Sequence, residues 1–279
     1  MKQPLDSKVA IIGAARDIGD SFLKLFSVIN NSFKIFKEVQ FFISENNSID
    51  TTRETLVKLS KENKNFNIIL LEDDINLVKY KTERIARARN IALDAVIKSE
   101  FNPDYIAVLD LDHINLGLTS DSLLSCWNHN NWNAMFANQP EGYYDIYALR
   151  HNLWSPRDWL IDYFELEKNF GKKVAMDLSL NSKRIKIEKT RDLISVDSAF
   201  GGLGIYTFDE IMKTKYVGLS ETGEPICEHL SVNLAIKKNG GNLYINPGLT
   251  NVRGYRGINK FKSRIYEKYI RKVKYIGID

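Results

Sequence analysis

Four short apolar runs alternating with three stretches of helical periodicity constrain this 279-residue chain more than any other feature. The runs are Val9–Ala14, Val39–Ile43, Asn67–Leu71 and Tyr105–Leu109. Between them, Asp17–Phe33 repeats apolar residues at helical spacing (Phe22, Leu25, Phe26, Ile29), and Glu83–Lys98 does so through Ile85, Ala88, Ala92 and Val96. Thr51–Ser60 reads as a helix opened by Asp50 as N-cap, with Glu54 near the capping-box position. Continuous apolar strands alternating with helices predict an α/β chain whose mostly parallel sheet is covered on both faces.

The second half is less regular. Ala134–Ala137, Tyr144–Ala148 and Leu193–Val196 read as strands, Pro156–Lys168 as a helix, and residues 170–195 are too polar to assign. Glu228–Lys238 reads as a helix ended by Asn239-Gly240-Gly241, a C-cap signal. Asn242–Asn246 reads as a strand stopped by Pro247. With no linker and no repeat before residue 250, one domain is expected over residues 1–252, followed by a basic tail over 253–279.

Charge places that boundary. The chain carries a net +4, but residues 253–279 hold nine basic and two acidic residues, a net of +7, which leaves 30 basic against 33 acidic, −3, for residues 1–252. The excess is therefore a property of the tail and not a nucleic-acid signature. In the tail Ile258, Phe261, Ile265, Tyr269, Val273 and Ile276 recur at helical spacing among lysines and arginines. Such a helix either lies on an anionic membrane surface or packs its apolar stripe on its own domain. The 44% apolar content excludes a disordered chain. Two distant cysteines, Cys126 and Cys227, form no disulfide framework or zinc ribbon. No run approaches the ~18 apolar residues of a membrane span, and the N-terminus lacks a signal-peptide pattern. The expected location is cytoplasmic, with peripheral membrane contact at most.

Five segments carry chemistry. Gly13-Ala14-Ala15-Arg16-Asp17-Ile18-Gly19 joins a strand to a helix as dinucleotide-binding turns do. An NADP-dependent short-chain dehydrogenase would also need a Tyr-x-x-x-Lys pair, which is absent, and Asp17 stands where a glycine is wanted. Asp110-Leu111-Asp112 follows directly on Tyr105–Leu109. Alternate residues of an extended chain share a face, so both carboxylates can meet one hard cation, Mg²⁺ or Mn²⁺, where open α/β sheets bind ligands. Arg84, Arg87 and Asn90 fall roughly on one side of the preceding helix, with Arg89 pointing elsewhere. Guanidinium groups there suit phosphate. Glu45, at the end of the second strand, can accept hydrogen bonds from a nucleobase. Finally, Cys227-Glu228-His229 opens a late helix, where Glu228 suits a base, and Asp197 precedes a Gly-rich loop, Ala199–Gly204, suited to close approach to a sugar.

In order, these segments resemble the GT-A glycosyltransferases, in particular the cryptococcal capsule-associated α-1,3-mannosyltransferases and related bacterial proteins. The resemblance spans residues 8–250, excluding 150–190, through Ala-Ala-Arg-x, Glu-Asn-Asn-Ser-x-Asp, the Arg84/Arg87/Arg89-Asn90 helix, Asp-Leu-Asp, Phe-Gly-Gly, Cys-Glu-His and Tyr-Ile-Asn-Pro. It implies a GT-A, Rossmann-like fold, a GDP- or UDP-sugar donor, Mn²⁺ or Mg²⁺, and a cell-surface or lipid-linked glycan acceptor. It further implies that Asp110 and Asp112 bind metal and donor and that His229 completes the metal site. Ala15, Arg16, Glu45 and Asn47 would line the nucleotide pocket, with Arg84, Arg87 and Asn90 nearby. Glu228 would deprotonate the acceptor if the sugar inverts; if it is retained, Glu228 and Asp197 would orient substrates. A non-catalytic nucleotide-sugar or glycan-binding module is the other reading this pattern allows.

Overall fold

The computed structural model describes residues 1–71 and 78–251. The predicted boundary at residue 252 and the basic tail lie outside them. The first half follows the predicted alternation: β1 (Lys8–Ala15), α1 (Ser21–Ser32), β2 (Glu38–Asn46), α2 (Thr52–Glu62), β3 (Phe66–Leu71), α3 (Lys81–Lys98) and β4 (Tyr105–Leu109). A short α4 (Ser120–Leu124) leads to β5 (Ala134–Asn138) and α5 (Trp159–Ser179). Then come β6 (Ile194–Ser195), β7 (Leu203–Thr207), α6 (Phe208–Ile211), α7 (His229–Lys238) and β8 (Leu243–Thr250).

The eight strands form one sheet in the order β3-β2-β1-β4-β7-β5-β8-β6. β3, β2, β1 and β4 run parallel, as do β5 and β8, while β7 is antiparallel to both β4 and β5 and β6 is antiparallel to β8. Side chains alternate between two cores, as period-two geometry requires. Ala10, Ile12, Ile106 and Val108 join Ala92, Leu93 and Val96 of α3 on one face. Val9, Ile11, Ala107 and Leu109 join Phe22, Leu25 and Ile29 of α1 and Leu56 of α2 on the other. Both faces being apolar is why β1 and β4 read as continuous runs. The N-cap of α2 is Thr51, not Asp50 as expected; Asp50 stands one residue before it, where its carboxylate accepts from the Thr52 hydroxyl and from the Thr52 N–H at 2.9 Å, and these bonds lower its pKa.

The second half departs from the sequence reading at four places. Tyr144–Ala148 is not a strand but a turn, tied by the Asp145 carboxylate accepting from the Ala148 N–H at 3.3 Å. The helix expected over Pro156–Lys168 starts later, at Trp159, capped by Asp158, and runs to Ser179 with a break at Gly171 (φ 74°). Only Ala175 and Ser179 of α5 are buried, so it has no apolar stripe to read. β7 was hidden in a Gly-rich segment. Pro247 does not stop β8; it sits where the β5–β8 register shifts between Phe136 and Asn138, and its carbonyl accepts from the Asn138 amide at 3.1 Å. A bulge is where a sheet tolerates proline.

Candidate active-site cleft

β1 has β2 on one side and β4 on the other, so their connections leave the sheet in opposite directions, and such a switch point opens a crevice at the strands' C-terminal ends. A cleft of about 650 Å³ occupies this place. It is lined by Ala14, Ala15, Arg16 and Ile18 after β1, Asn46 at the end of β2, Lys81, Arg84, Ile85, Ala88 and Arg89 of α3, and Asp110, Leu111 and Asp112 after β4. Tyr144, Asp145, Tyr147 and Phe200, with Cys227, Glu228 and His229 at the start of α7, complete it.

Arg89 organises the floor. Its side chain is 4% exposed. Nη2 donates to Asp110 Oδ1 at 2.7 Å, and Nη1 meets Glu228 Oε1 and His229 Nε2. Its guanidinium carbon lies 5.0 Å from the centre of the Phe200 ring and 5.8 Å from that of Tyr216. Desolvation works against the charge, but the Glu228 and Asp110 carboxylates outweigh it and hold the pKa above its ordinary value. Helical geometry, read from Arg84 and Arg87, put Arg89 elsewhere; the structure corrects this. Arg89 lies four residues after Ile85 and three before Ala92, on the core-facing stripe. A guanidinium at a core position must be paired, and that was the signal in the sequence.

Asp110 stands at the end of β4 with a third of its side chain facing the cleft. Desolvation pushes its pKa up to about 7; Arg89 opposes this, and Asp112, Asp145 and Glu228 add to it. Asp112 is exposed at the rim, and its Oδ1 accepts from the Ile114 N–H at 2.9 Å. Beneath them passes the glycine loop that leads into β7. The Gly202 carbonyl accepts from the Asp110 N–H and from the Asn115 amide, both at 2.9 Å. Gly201 and Gly202 have φ of 68° and 82°. A Cβ on Gly201 would stand 2.5 Å from the Ala137 carbonyl oxygen, and one on Gly202 2.7 Å from Ile114. Only glycine fits this close approach.

His229 is 2% exposed and stacks on Phe200 with ring centres 3.6 Å apart. Burial, then Arg89, lowers its pKa well below the ordinary value, so the imidazole is neutral at neutral pH. Because arginine only donates, Nε2 accepts and Nδ1 carries the proton. Among the described residues Nδ1 has no partner. The expected metal set of Asp110, Asp112 and His229 is not brought together, since His229 lies on the floor under Arg89 and Asp112 at the rim. Among the described residues no three His, Cys, Asp or Glu side chains are arranged to hold a metal.

Of the other expected site residues, Ala15, Arg16, Arg84, Asp110, Asp112, Glu228 and His229 line the cleft; Glu45, Asn47, Arg87, Asn90 and Asp197 do not. Glu45 is fully buried, accepting from the Ser48 N–H and from Arg53 Nε, both at 2.7 Å. It holds the β2–α2 turn, with Asn47 beside it accepting from Arg53 at 3.3 Å. Asn90 exchanges two 2.8 Å bonds with the Tyr216 backbone and anchors the segment before α7. Asp197 lies near His151, whose pKa burial lowers, with the Asp197 carboxylate opposing that shift. Asp145 and Lys81 were missed; nothing local in the sequence marks them.

The turn after β1 argues against dinucleotide binding. The N–H groups of Asp17, Ile18 and Gly19, which would face a pyrophosphate, donate instead to Ser48 Oγ at 3.0 Å and to Thr52 Oγ1 at 2.8 Å each.

The mannosyltransferase PcManGT from Pyrobaculum calidifontis, solved in complex with GDP-Man and Mn²⁺, shares this architecture at TM-score 0.50 and 11% identity, covering 94% of this chain and 61% of its own. This is a GT-A fold. Less similar are S. aureus TarS 1–349 (TM-score 0.48, 12% identity, 89% of this chain and 59% of that one) and its complex with UDP-GlcNAc (TM-score 0.48, 12% identity, 89% and 57%). The chain spans about three fifths of the length of these structures. No protein-family model matches the sequence, and no curated protein matches it.

Proposed function

We propose that this chain is a metal-dependent glycosyltransferase that moves a hexose from a GDP- or UDP-sugar to a hydroxyl of a glycan or lipid-linked glycan. One observation carries the reading. At the switch point of a GT-A fold, the acidic pair Asp110–Asp112 shares a cleft with Arg16, Lys81 and Arg84.

The donor set suits a hard dication. Asp110 and Asp112 offer oxygen only, and desolvation raises Asp110 despite Arg89, with Asp112, Asp145 and Glu228 adding to it. Asp110 and Asp112 would hold the ion, with substrate phosphate oxygens and water as its further ligands. When bound, such an ion neutralises charge on a departing diphosphate. Arg16 after β1 and Lys81 and Arg84 on α3 line the same cleft and supply positive charge, which favours a diphosphate in the ground state and more so as its charge grows. Arg89 holds Asp110 and Glu228 in place through its two ion pairs. Glu228, tied to Arg89, serves this reading better as an orienting group than as a base. Asp197 does not line the cleft and is assigned no contact with the reacting groups.

Thermal denaturation of the full chain with Mn²⁺ and GDP, UDP, CDP or dTDP tests the reading, because a ligand that binds only the folded state stabilises it. At a hundredfold excess over Kd the gain is about 2.7 kcal/mol. A metal-dependent rise with one nucleotide, lost in Asp112→Ala, is expected. No rise with any of them, or a rise unchanged in the variant, overturns it.

A further inference from the structure

Of the four carboxylates in the cleft, three are accounted for: Asp110 and Asp112 form the rim pair, and Glu228 is bound by Arg89. Asp145 is not. It enters from a separate wall, the turn between β5 and α5. The Gly201 N–H donates to its Oδ2 at 3.0 Å and the Ala148 N–H to its Oδ1 at 3.3 Å. These bonds fix the carboxylate without neutralising it, and it forms no ion pair among the described residues. Each oxygen keeps acceptor capacity beyond its one bond. Tyr144 and Tyr147, on either side of it in sequence, line the same cleft, and Tyr147 is steadied by its hydroxyl donating to the Pro225 carbonyl at 3.3 Å. His229, whose buried Nδ1 has no hydrogen-bond partner among the described residues, lines the same cleft.

A carboxylate held by two backbone N–H groups, with no ion-pair partner among the described residues and with spare acceptor capacity, suits neutral hydroxyls, from which it accepts hydrogen bonds, better than a diphosphate. Aromatic rings beside it offer an apolar surface to the C–H face of a sugar. We propose that Asp145, framed by Tyr144 and Tyr147, is a sugar-hydroxyl subsite of the cleft. The hydroxyl belongs either to the donor hexose or to the acceptor. Its part in transfer rests on the glycosyltransferase reading; its capacity to bind a sugar does not.

The test uses the full-length chain, Asp145→Asn, and Tyr147→Ala as a second variant in case the amide disturbs the Gly201 and Ala148 bonds. Calorimetric titration with Mn²⁺ compares GDP with GDP-mannose and UDP with UDP-N-acetylglucosamine, and diphosphate release from the nucleotide sugar, with free mannose or N-acetylglucosamine supplied as acceptor, is followed in parallel. Nucleoside diphosphate affinity is expected to stay within about threefold, because the subsite does not hold phosphate. If the hydroxyl is the donor's, nucleotide-sugar affinity falls about tenfold or more, the scale of a lost hydrogen bond to a charged group. If it is the acceptor's, that affinity holds and diphosphate release falls by about the same factor or more. Either result supports the subsite. Variants that keep both within about threefold, or that lose nucleoside diphosphate affinity equally, overturn it. A wild type that binds no nucleoside diphosphate overturns the transferase reading instead. Saturation-transfer NMR with free mannose and N-acetylglucosamine then reads the subsite alone: a sugar signal present in the wild type and absent in Asp145→Asn supports it, and no signal in the wild type overturns it.

Discussion

Replacing Arg89 by Met removes the charge that joins α3, the end of β4 and the start of α7 at the floor of the cleft. Methionine keeps a long apolar stem against Phe200 and Tyr216, so most packing survives. Two carboxylates lose their partner. The Asp110 side chain is 33% exposed, so solvent screens much of its loss. The Glu228 side chain is 9% exposed and cannot be rehydrated in place. Stranding one member of a buried pair costs about 3–5 kcal/mol. At about 2–4 °C per kcal/mol for a domain of this order of size, the Tm should fall by about 6–20 °C. Glu228 is the main source of that cost, so Arg89→Met/Glu228→Gln should recover at least half of the drop. Thermal unfolding followed by circular dichroism at pH 7.5 measures all four corners of the cycle. An Arg89→Met protein melting within about 2 °C of the wild type would refute the account. So would a double variant no more stable than the single one.

Gly201→Ala should cost more than about 1 kcal/mol, since φ is 68° and the new Cβ would meet the Ala137 carbonyl; urea unfolding reads this, and a neutral result removes the close-approach argument. Asp50→Ala should lower the Tm at neutral pH. The folded pKa of Asp50 is depressed by its Thr52 bonds, so its contribution is present above the ordinary value of 3.8 and disappears as pH falls through the folded value; a difference from wild type that persists in acid would contradict a role for those bonds. If the basic tail attaches the protein to membranes, deleting residues 255–279 should abolish co-sedimentation with anionic vesicles and leave neutral vesicles unaffected. Unchanged binding, or none by the full chain, rejects that role.

Much of the fold was legible because its information is local. β1 through β4 are apolar on both faces, and α1 and α3 repeat at helical spacing, so each element announces itself within a dozen residues. The Asp110–Asp112 pair was legible for the same reason: a strand end and a two-residue period suffice to place both carboxylates on one side. Where elements lack an apolar pattern, the reading failed. α5 buries too little to show a stripe, β7 hides behind two glycines, and β8 runs through Pro247 because a bulge distant in sequence accommodates it.

The sequence alone determined an α/β chain with an acidic pair at the C-terminal end of a strand and a helix rich in arginine before it. Tertiary structure decided which of those side chains meet. It turned Arg89 inward to Asp110, Glu228 and His229, took Glu45 and Asn90 out of the cleft to hold turns, and brought in Asp145 from a loop with no motif. Strand and helix identity follow from periodicity along the chain. Site membership follows from the meeting of residues as far apart as Arg89 and Glu228, and no local pattern encodes that.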